Sequence, residues 1–321
     1  MARVFVTRKI PEVGLEKLRE AGHEVVVSEK DGVLSREELL LALSDGGYEA
    51  ILSLLTDSID AEVFAKAPEV KICANYAVGF NNIDVEAAKS AGVIVTNTPG
   101  VLSNTVAEYA FALIMAVTKR IPEADRFTRA GKYEGWAPEL LLGSDLEGKT
   151  LGIVGAGAIG RMVAEKAQKG LGMKVIYSDI KACEELEAAI DCTYVSLETV
   201  MAEADIISVH TPLLPATHHL INAEQIARMK PASYLINTSR GPVVEEAALA
   251  VALKEGKIAG AGLDVFEEEP AVHPDLMELD NVVITPHIAS ASRETRDKMS
   301  LMAAENIIAV LSGGEPVNPV G

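Results

Sequence analysis

A glycine-rich turn between a strand and a helix constrains this chain of 321 residues more than any other feature. The turn is Gly155-Ala156-Gly157-Ala158-Ile159-Gly160; the apolar strand Leu151–Val154 precedes it and a helical pattern over Ile159–Gln168 follows. A second strand, Lys174–Ser178, leads to Asp179, about 20 residues after the last glycine, as in dinucleotide-binding units. The whole pattern predicts a strand–helix–strand unit that binds a dinucleotide.

Each residue of this pattern has a physical role. The first glycine permits the tight turn, the second lets a pyrophosphate approach the backbone, and the third lets the helix pack on the strand. The helix N-terminus offers unpaired N–H groups and partial positive charge to the diphosphate. Asp179 can accept hydrogen bonds from the ribose hydroxyls and would repel a 2′-phosphate, so the pattern favours NAD over NADP. The alternative is a glycine-rich turn in an ordinary α/β domain.

Strand-like and helix-like segments alternate along the chain, which predicts α/β architecture with parallel sheets. The first series of predicted strands is Arg3–Thr7, His23–Val27, Tyr48–Leu52, Val70–Ala74 and Val93–Thr96, with helices at Val13–Ala21, Ala61–Ala67 and Val85–Ala91. The second series is Thr150–Val154, Lys174–Ser178, Asp205–Val209, Ser233–Thr238, Gly260–Val265 and Val282–Thr285. Between them we expect one long helix, Ser103–Lys119, and an extended arm, Ala130–Lys149. Two α/β units in series result, with a closing helix, Ala291–Leu311, that could pack on either.

Composition excludes several function classes. The net charge is −18 and aromatic residues are 4% of the chain, so binding to nucleic acid or to an anionic membrane is disfavoured. The apolar run Ala110–Val117 is too short to span a bilayer. The three cysteines, Cys73, Cys183 and Cys192, form no metal or disulfide pattern. We therefore expect a cytoplasmic protein without a metal site.

Reduction of a carbonyl with a nicotinamide cofactor needs a proton donor, usually histidine. Of six histidines, only His210 and His287 come directly after apolar strands of the second series, where ligands bind in open parallel sheets. The pattern leaves these two even, and either could simply bond to backbone. Arg240 follows another strand, and four carboxylates follow Leu263. Although such charges are often solvated surface, a guanidinium, a carboxylate and an imidazole at one sheet edge suit a keto acid.

At this point the sequence resembles the D-isomer-specific 2-hydroxyacid dehydrogenases. The matching stretches span nearly the whole chain, and they are Ala74–Asp84, Gly155–Gly160, Asn237–Gly241, Leu263–Phe266 with Glu269-Pro270, and Thr285–Ile288. It looks most similar to the glyoxylate/hydroxypyruvate reductase branch. The resemblance implies reversible hydride transfer between NADH and a small 2-keto acid, giving a D-2-hydroxy acid.

The resemblance also implies residue roles. Arg240 would bind the substrate carboxylate and polarise the keto oxygen, His287 would be the general acid, and Glu269 would orient His287 and keep it protonated. Asp264 would line the cofactor side near the nicotinamide. The remaining implied cofactor contacts lie in the glycine turn, at Asp179 and at strand ends: Thr105, Val106, Gly155, Ala156, Gly157, Ala158, Ile159, Gly160, His210, Thr211, Pro212, Thr238 and Ser239. This assignment places His210 in the cofactor wall.

Other implied substrate contacts lie in the first series: the N–H groups of Val78 and Gly79 would hold the carboxylate, and Leu55 would limit substrate size. The implied fold is two Rossmann-like doubly wound domains. A discontinuous, flavodoxin-like substrate domain, residues 1–101 and 290–321, would surround an NAD domain, residues 102–289. A homodimer joined by the long helix and the arm is expected; Trp136 would either reach the partner's pocket or simply pack in the interface.

Two positions depart from the family pattern: Asn81 stands where many members have Asp, and Ala289 where Gly is usual. Neither removes a catalytic group. Three alternatives stay open. A D-3-phosphoglycerate dehydrogenase would carry an arginine where Asn75 stands, because a phosphate favours such a cation. A D-lactate-type enzyme and a non-enzymatic, NAD-sensing protein binder share the same motifs.

Overall fold

The computed structural model describes residues 1–44 and 46–320. Its strands are β1 (Arg3–Val6), β2 (Glu24–Val27), β3 (Ala50–Ser53), β4 (Ile72–Asn75), β5 (Ile94–Thr96), β6 (Thr150–Val154), β7 (Lys174–Ser178), β8 (Cys192–Tyr194), β9 (Ile206–Val209), β10 (Tyr234–Asn237), β11 (Gly260–Leu263), β12 (Val282–Ile284) and β13 (Pro319–Val320). Its helices are α1 (Glu12–Glu20), α2 (Arg36–Ser44), α3 (Ala61–Lys66), α4 (Val85–Ser90), α5 (Ser103–Thr118), α6 (Ile121–Arg129), α7 (Ala158–Leu171), α8 (Glu184–Ala189), α9 (Leu197–Glu203), α10 (Ala223–Ala227), α11 (Glu246–Lys254), α12 (Pro274–Met277) and α13 (Arg293–Leu311).

The chain divides into two compact units. The first unit comprises Met1–Leu102 and the described residues from Ser290 onward, and the second comprises Ser103–Ala289. Each unit contains one sheet with helices packed against it. The predicted α/β class with two doubly wound, mostly parallel sheets is confirmed.

The sheet of the first unit has the strand order β13-β5-β4-β3-β1-β2. Strands β1 to β5 are parallel, in the flavodoxin-like order 2-1-3-4-5, and β13 adds an antiparallel edge. Every residue of β3 and β4 is buried, because helices cover both faces of a parallel sheet. The predicted flavodoxin-like topology is therefore present.

Helix α13 belongs to the first unit, where it packs against α1. The two helices approach closely at Gly14, where an added Cβ would lie 2.3 Å from the Ser300 carbonyl oxygen. The Gly14 N–H donates to Ser300 Oγ (3.2 Å), which donates to the Pro11 carbonyl (2.7 Å). The local sequence pattern did not indicate whether the closing helix packs on the first or the second unit. This contact places it on the first unit.

The sheet of the second unit has the order β12-β11-β10-β9-β6-β7-β8, and all its neighbouring strands are parallel. This is the dinucleotide-binding order 3-2-1-4-5-6 with one further strand. Two clusters of buried apolar side chains pack on it, and consecutive residues such as Leu235 and Ile236 belong to different clusters. The alternation follows from the two-residue period of a strand. It puts the core on both faces and leaves the loops at the strand ends for ligands.

The predicted helix Ser103–Lys119 ends one residue early, and a second helix, α6, was not predicted. Arg120, with φ 54°, separates the two helices, so the chain turns sharply before α6 begins. Residues 130–149 contain no helix or strand, as predicted for the arm. No helix among the described residues is long and apolar enough to cross a membrane.

Candidate active site

The glycine turn has the geometry that its sequence predicts. Gly155 has φ 95°, and an added Cβ there would lie 2.9 Å from the carbonyl carbon of His210. At Gly160 an added Cβ would lie 2.0 Å from the Gly155 carbonyl oxygen, so α7 packs tightly on the end of β6. At Gly157 an added Cβ would have nothing within 4 Å among the described residues. Gly155 and Gly160 thus allow close packing of the backbone, and Gly157 leaves space in which a ligand can approach the backbone.

Helix α7 begins directly after Gly157, and no side chain caps its first N–H groups. These groups are available to an anion, and the helix dipole favours one. Two buried hydroxyls at nearby strand ends, Thr211 Oγ1 and Thr238 Oγ1, have no hydrogen-bond partner among the described residues. Unpaired buried hydroxyls are costly, so a polar ligand at this edge would satisfy them. The residues present therefore fit a bound dinucleotide.

Asp179 follows β7 and interacts with the glycine turn itself. Its Oδ2 accepts a hydrogen bond from the Ala156 N–H (2.7 Å), and its Oδ1 accepts one from the Ile180 N–H (2.6 Å). These bonds fix the carboxylate next to the turn. A fixed negative charge at this position is what discrimination against a 2′-phosphate requires.

The two strand-end histidines have opposite environments. His210 follows β9; its Nε2 bonds to Ser208 Oγ (2.8 Å), and burial lowers the pKa of His210 to about 3. His210 is therefore neutral at physiological pH. The Nδ1 of His287 lies 2.8 Å from Glu269 Oε2, and its side chain is 24% exposed. Only His287, of these two, combines a carboxylate partner with access to a ligand.

Glu269 is held on both sides. Its Oε1 accepts the Phe266 N–H (3.0 Å), which leaves Oε2 for His287. Burial opposes ionisation of Glu269, but His287, the Phe266 N–H and the charge of Arg240 together lower its pKa. Glu269 is therefore an anion that fixes the ring of His287 through Nδ1. The other ring nitrogen, Nε2, is left for a substrate.

Arg240 follows β10, three residues after Asn237. The Asn237 Nδ2 donates to the Arg240 carbonyl (3.0 Å), and Arg240 Nη1 donates to the Ser239 carbonyl (2.7 Å). Burial lowers the pKa of Arg240, and the charge of Glu269 opposes this. The side chain remains a cation, because guanidinium does not deprotonate in proteins. An incompletely hydrated cation at a sheet edge attracts carboxylates strongly.

The loop that carries His287 is fixed by Asp264. The Asp264 carboxylate accepts hydrogen bonds from the Thr285 hydroxyl (2.7 Å), the Ile288 N–H (2.9 Å) and the Ala289 N–H (2.7 Å). The His287 N–H donates to the Asp264 carbonyl (2.8 Å), and His287 has φ 54°. Asp264 is completely buried. In this structure it supports the unusual backbone of His287; its predicted place near the nicotinamide stays a prediction.

The other predicted cofactor residues lie on the same unit. Thr105 and Val106 are in the first turn of α5; Thr211 and Pro212 follow β9, and Thr238 and Ser239 follow β10. Sequence reasoning missed Thr285 as the hydroxyl donor to Asp264. Its position between a strand and Pro286-His287 was the available signal.

The predicted residues of the first unit lie at the carboxyl end of its own sheet. Leu55 follows β3, and Val78 and Gly79 follow β4; all three are half-buried. The loop of Leu55 is held by Asp57, whose carboxylate accepts the Thr7 hydroxyl (2.5 Å) and the Leu54 N–H (2.7 Å). Burial raises the pKa of Asp57, and these two hydrogen bonds oppose that rise.

The chain is similar to known proteins along nearly its whole length. Residues 111–289 match the family model described as "D-isomer specific 2-hydroxyacid dehydrogenase, NAD binding domain". A glyoxylate reductase of Korarchaeum cryptofilum is 51% identical over 321 residues, 99% of this chain and 95% of that protein. A Thermus thermophilus structure has a TM-score of 0.93 and 44% identity, and covers 99% of this chain and 100% of its own.

A third relative is the Sinorhizobium meliloti NADPH-dependent glyoxylate/hydroxypyruvate reductase, solved with NADP and malonate. It has a TM-score of 0.86 and 34% identity, and the match covers 100% of this chain and 97% of that one. Sequence, fold and near-complete coverage agree. The chain belongs to the D-isomer specific 2-hydroxyacid dehydrogenase family, and residues 111–289 form its NAD-binding domain.

Proposed function

We propose that this protein uses NADH to reduce a small 2-keto acid, glyoxylate or hydroxypyruvate, to the D-2-hydroxy acid. The observation that carries the proposal is the 2.8 Å pairing of His287 with Glu269 in the unit that also presents Arg240 and the glycine turn. The name of the Korarchaeum cryptofilum relative supports glyoxylate as the substrate.

Arg240 binds the substrate carboxylate and polarises the keto oxygen. A guanidinium forms two parallel hydrogen bonds to a carboxylate, which fixes the orientation of the substrate as well as its position. Partial removal of Arg240 from water strengthens these bonds. A small, planar anion with an adjacent carbonyl suits this group.

His287 supplies the proton. The nicotinamide, when bound, supplies a hydride to the keto carbon, and the negative charge then develops on the keto oxygen. His287 donates its Nε2 proton to that oxygen, and Glu269 stabilises the imidazolium before the transfer. In the reverse reaction His287 Nε2 accepts the hydroxyl proton. Relative to the keto acid, the hydroxy acid has gained one hydride at carbon and one proton at oxygen.

The preference for NADH over NADPH rests on Asp179. Its carboxylate is anchored on the glycine turn by two N–H groups and cannot easily move away from a 2′-phosphate. The Sinorhizobium meliloti relative is named as NADPH-dependent, so the choice of cofactor differs within the family and has to be argued from the residues of each chain.

We assign the first unit as the substrate domain, in which the N–H groups of Val78 and Gly79 bind the carboxylate and Leu55 limits substrate size. A homodimer is supported by the arm, where Tyr133 and Trp136 are 57% and 84% exposed. Large exposed aromatic side chains are typical of interfaces. A cytoplasmic location is supported by three free cysteines.

The test is a panel of keto acids assayed with NADH and with NADPH. We expect the highest kcat/KM with glyoxylate or hydroxypyruvate and NADH. Preferential reduction of pyruvate would instead support a D-lactate-type enzyme, and oxidation of 3-phosphoglycerate a phosphoglycerate-type enzyme. Binding of NADH without turnover of any small keto acid would overturn the proposal in favour of an NAD-sensing binder.

A further inference from the structure

Three consecutive carbonyl groups in the loop after β4 are held by hydrogen bonds. The Ala77 carbonyl accepts the Thr98 N–H (2.9 Å), the Val78 carbonyl accepts Asn97 Nδ2 (2.7 Å), and the Gly79 carbonyl accepts Asn75 Nδ2 (2.8 Å). Asn75 ends β4, and Asn97 follows β5. Residues from two neighbouring strand ends thus hold one loop through its carbonyl oxygens.

The orientation of these carbonyls fixes the direction of the N–H groups. In a trans peptide the C=O and N–H bonds point in opposite directions. With the Ala77 and Val78 carbonyls turned toward Thr98 and Asn97, the N–H groups of Val78 and Gly79 point away from them. Within residues 1–44 and 46–320, neither N–H has a hydrogen-bond acceptor. Two adjacent, unpaired N–H groups facing the same way form a site for an anion.

Exchanging the positions of Oδ1 and Nδ2 of the Asn75 side chain would break its hydrogen bonds. Its Oδ1 accepts Ser53 Oγ (3.2 Å) and Asn82 Nδ2 (3.4 Å), so Nδ2 must face the Gly79 carbonyl. Asn75 is completely buried. Asn82 Nδ2 also donates to the carbonyls of Leu54 (3.1 Å) and Asp57 (3.0 Å), in the loop that carries Leu55. The side-chain network therefore fixes the orientation of Asn75.

We propose that Asn97 and Asn75 are positioning residues for the substrate carboxylate: Asn97 orients the Gly79 N–H by holding the Val78 carbonyl of the same peptide, and Asn75 anchors the loop directly after it through the Gly79 carbonyl. This rests on the proposed function. Both asparagines are uncharged donors, so they hold the loop without adding a negative charge that would repel the anion. An aspartate of the same shape would present oxygens to the carbonyls and repel both them and the substrate.

The test compares Asn97→Asp and Asn97→Ala with wild type; the alanine variant removes the donor without adding charge. We expect KM for glyoxylate and Ki for oxalate to rise roughly 10- to 100-fold in both, the size expected from weakening hydrogen bonds to a charged group. We expect kcat to fall less than KM rises, and NADH affinity to stay unchanged. Asn75→Ala should act in the same direction.

A pH series gives a signature that a general structural role would not produce. A protonated aspartate carries an O–H donor, and burial beside a carbonyl raises the pKa of such a group. The KM defect of Asn97→Asp should therefore shrink as pH falls toward about 5, whereas that of Asn97→Ala should not. Asn281→Asp is the matched control, because Asn281 Nδ2 also donates to backbone carbonyls, those of Leu253 (3.5 Å) and Ala259 (3.3 Å), in the second unit.

Wild-type protein provides a measurement that does not depend on folding of the variants. Oxalate added to the NADH complex should selectively shift the amide NMR signals of Val78 and Gly79. Unchanged signals, or variants with wild-type KM, would overturn this inference and leave the reductase function standing. Selective shifts in a protein that reduces no keto acid would overturn the function and leave the anion site standing.

Discussion

The carboxyl ends of the two sheets present different chemistry. In the first unit the hydrogen-bonding side chains that hold the loops are mainly neutral amides, such as Asn75, Asn82 and Asn97. In the second unit they are ionisable and influence one another, as Glu269 and His287 do. Amide side chains hold their geometry at any pH, although the first edge also contains the carboxylate of Asp57, whereas an ionisable pair such as Glu269 and His287 can transfer protons. We therefore expect changes to the amides of the first edge to alter mainly KM, and changes to the Glu269–His287 pair of the second edge to alter mainly kcat.

The largest expected effect is that of His287→Ala. Loss of the proton donor should lower kcat by roughly 10²- to 10⁴-fold, and NADH affinity should remain nearly the same because the glycine turn is untouched. Stopped-flow turnover and NADH fluorescence titration measure the two. His219→Ala is a suitable control, since His219 Nε2 also pairs with a carboxylate, Glu267. Equal losses in both variants would contradict the assignment of His287.

Arg240→Lys should have the next largest effect. Lysine keeps the positive charge but loses the planar fork, so kcat/KM for glyoxylate should fall about 10- to 100-fold. Steady-state kinetics with glyoxylate and oxalate inhibition measure this loss. If the kcat/KM of the variant matched that of wild type, groups other than Arg240 would have to bind the substrate carboxylate. The chemical difference between the two sheet edges would then be smaller than proposed.

Asp179→Ala separates cofactor selection from catalysis. Removal of the anchored carboxylate should change the NADH/NADPH ratio of kcat/KM by about 10-fold in favour of NADPH, the factor that 1.4 kcal/mol represents. The loss of two accepted N–H bonds should also cost some thermal stability. An unchanged ratio would assign cofactor choice to another residue.

The smallest effect concerns stability against acid. Because the pKa of Glu269 is lowered in the folded protein, the unfolded chain binds more protons in the window below its usual value of about 4.3. The ionised Glu269 therefore contributes stability above that value, and the contribution is lost as pH falls through the lowered pKa. The difference in unfolding free energy between wild type and Glu269→Gln, from urea titrations, should shrink as the pH falls below the usual carboxyl pKa of about 4.3. A constant difference would contradict the lowered pKa.

The sequence predicted those features that depend on neighbours along the chain. The glycine turn, the strands around it and the position of Asp179 follow from local steric and hydrogen-bonding requirements. Helix α6 was missed because Pro122 resembles a break, although proline near a helix start favours that start. The placement of α13 could not be predicted locally, because it depends on the fit of Ser300 against Gly14, far apart in sequence.

The choice between His210 and His287 likewise depends on residues that are distant in sequence, so the local pattern could not decide it. Both follow strands and both are half-buried; what separates them is the lowered pKa of His210 and the carboxylate, 18 positions away in sequence, that pairs with His287. Resemblance to a family indicated His287, whereas the pattern alone could not. The roles of Asn75 and Asn97 depend on which way side-chain amides point, and no sequence pattern records that.

The link made by Asn82 has a consequence for altering substrate range. Asn82 donates hydrogen bonds to main-chain carbonyls on either side of Leu55 and makes none to the Leu55 side chain. The residue at position 55 can therefore be made smaller or larger without removing the hydrogen bonds that hold its loop. A smaller side chain there should admit bulkier acids at undiminished anion affinity. Engineering for new substrates can thus treat molecular bulk and charge recognition as separately adjustable.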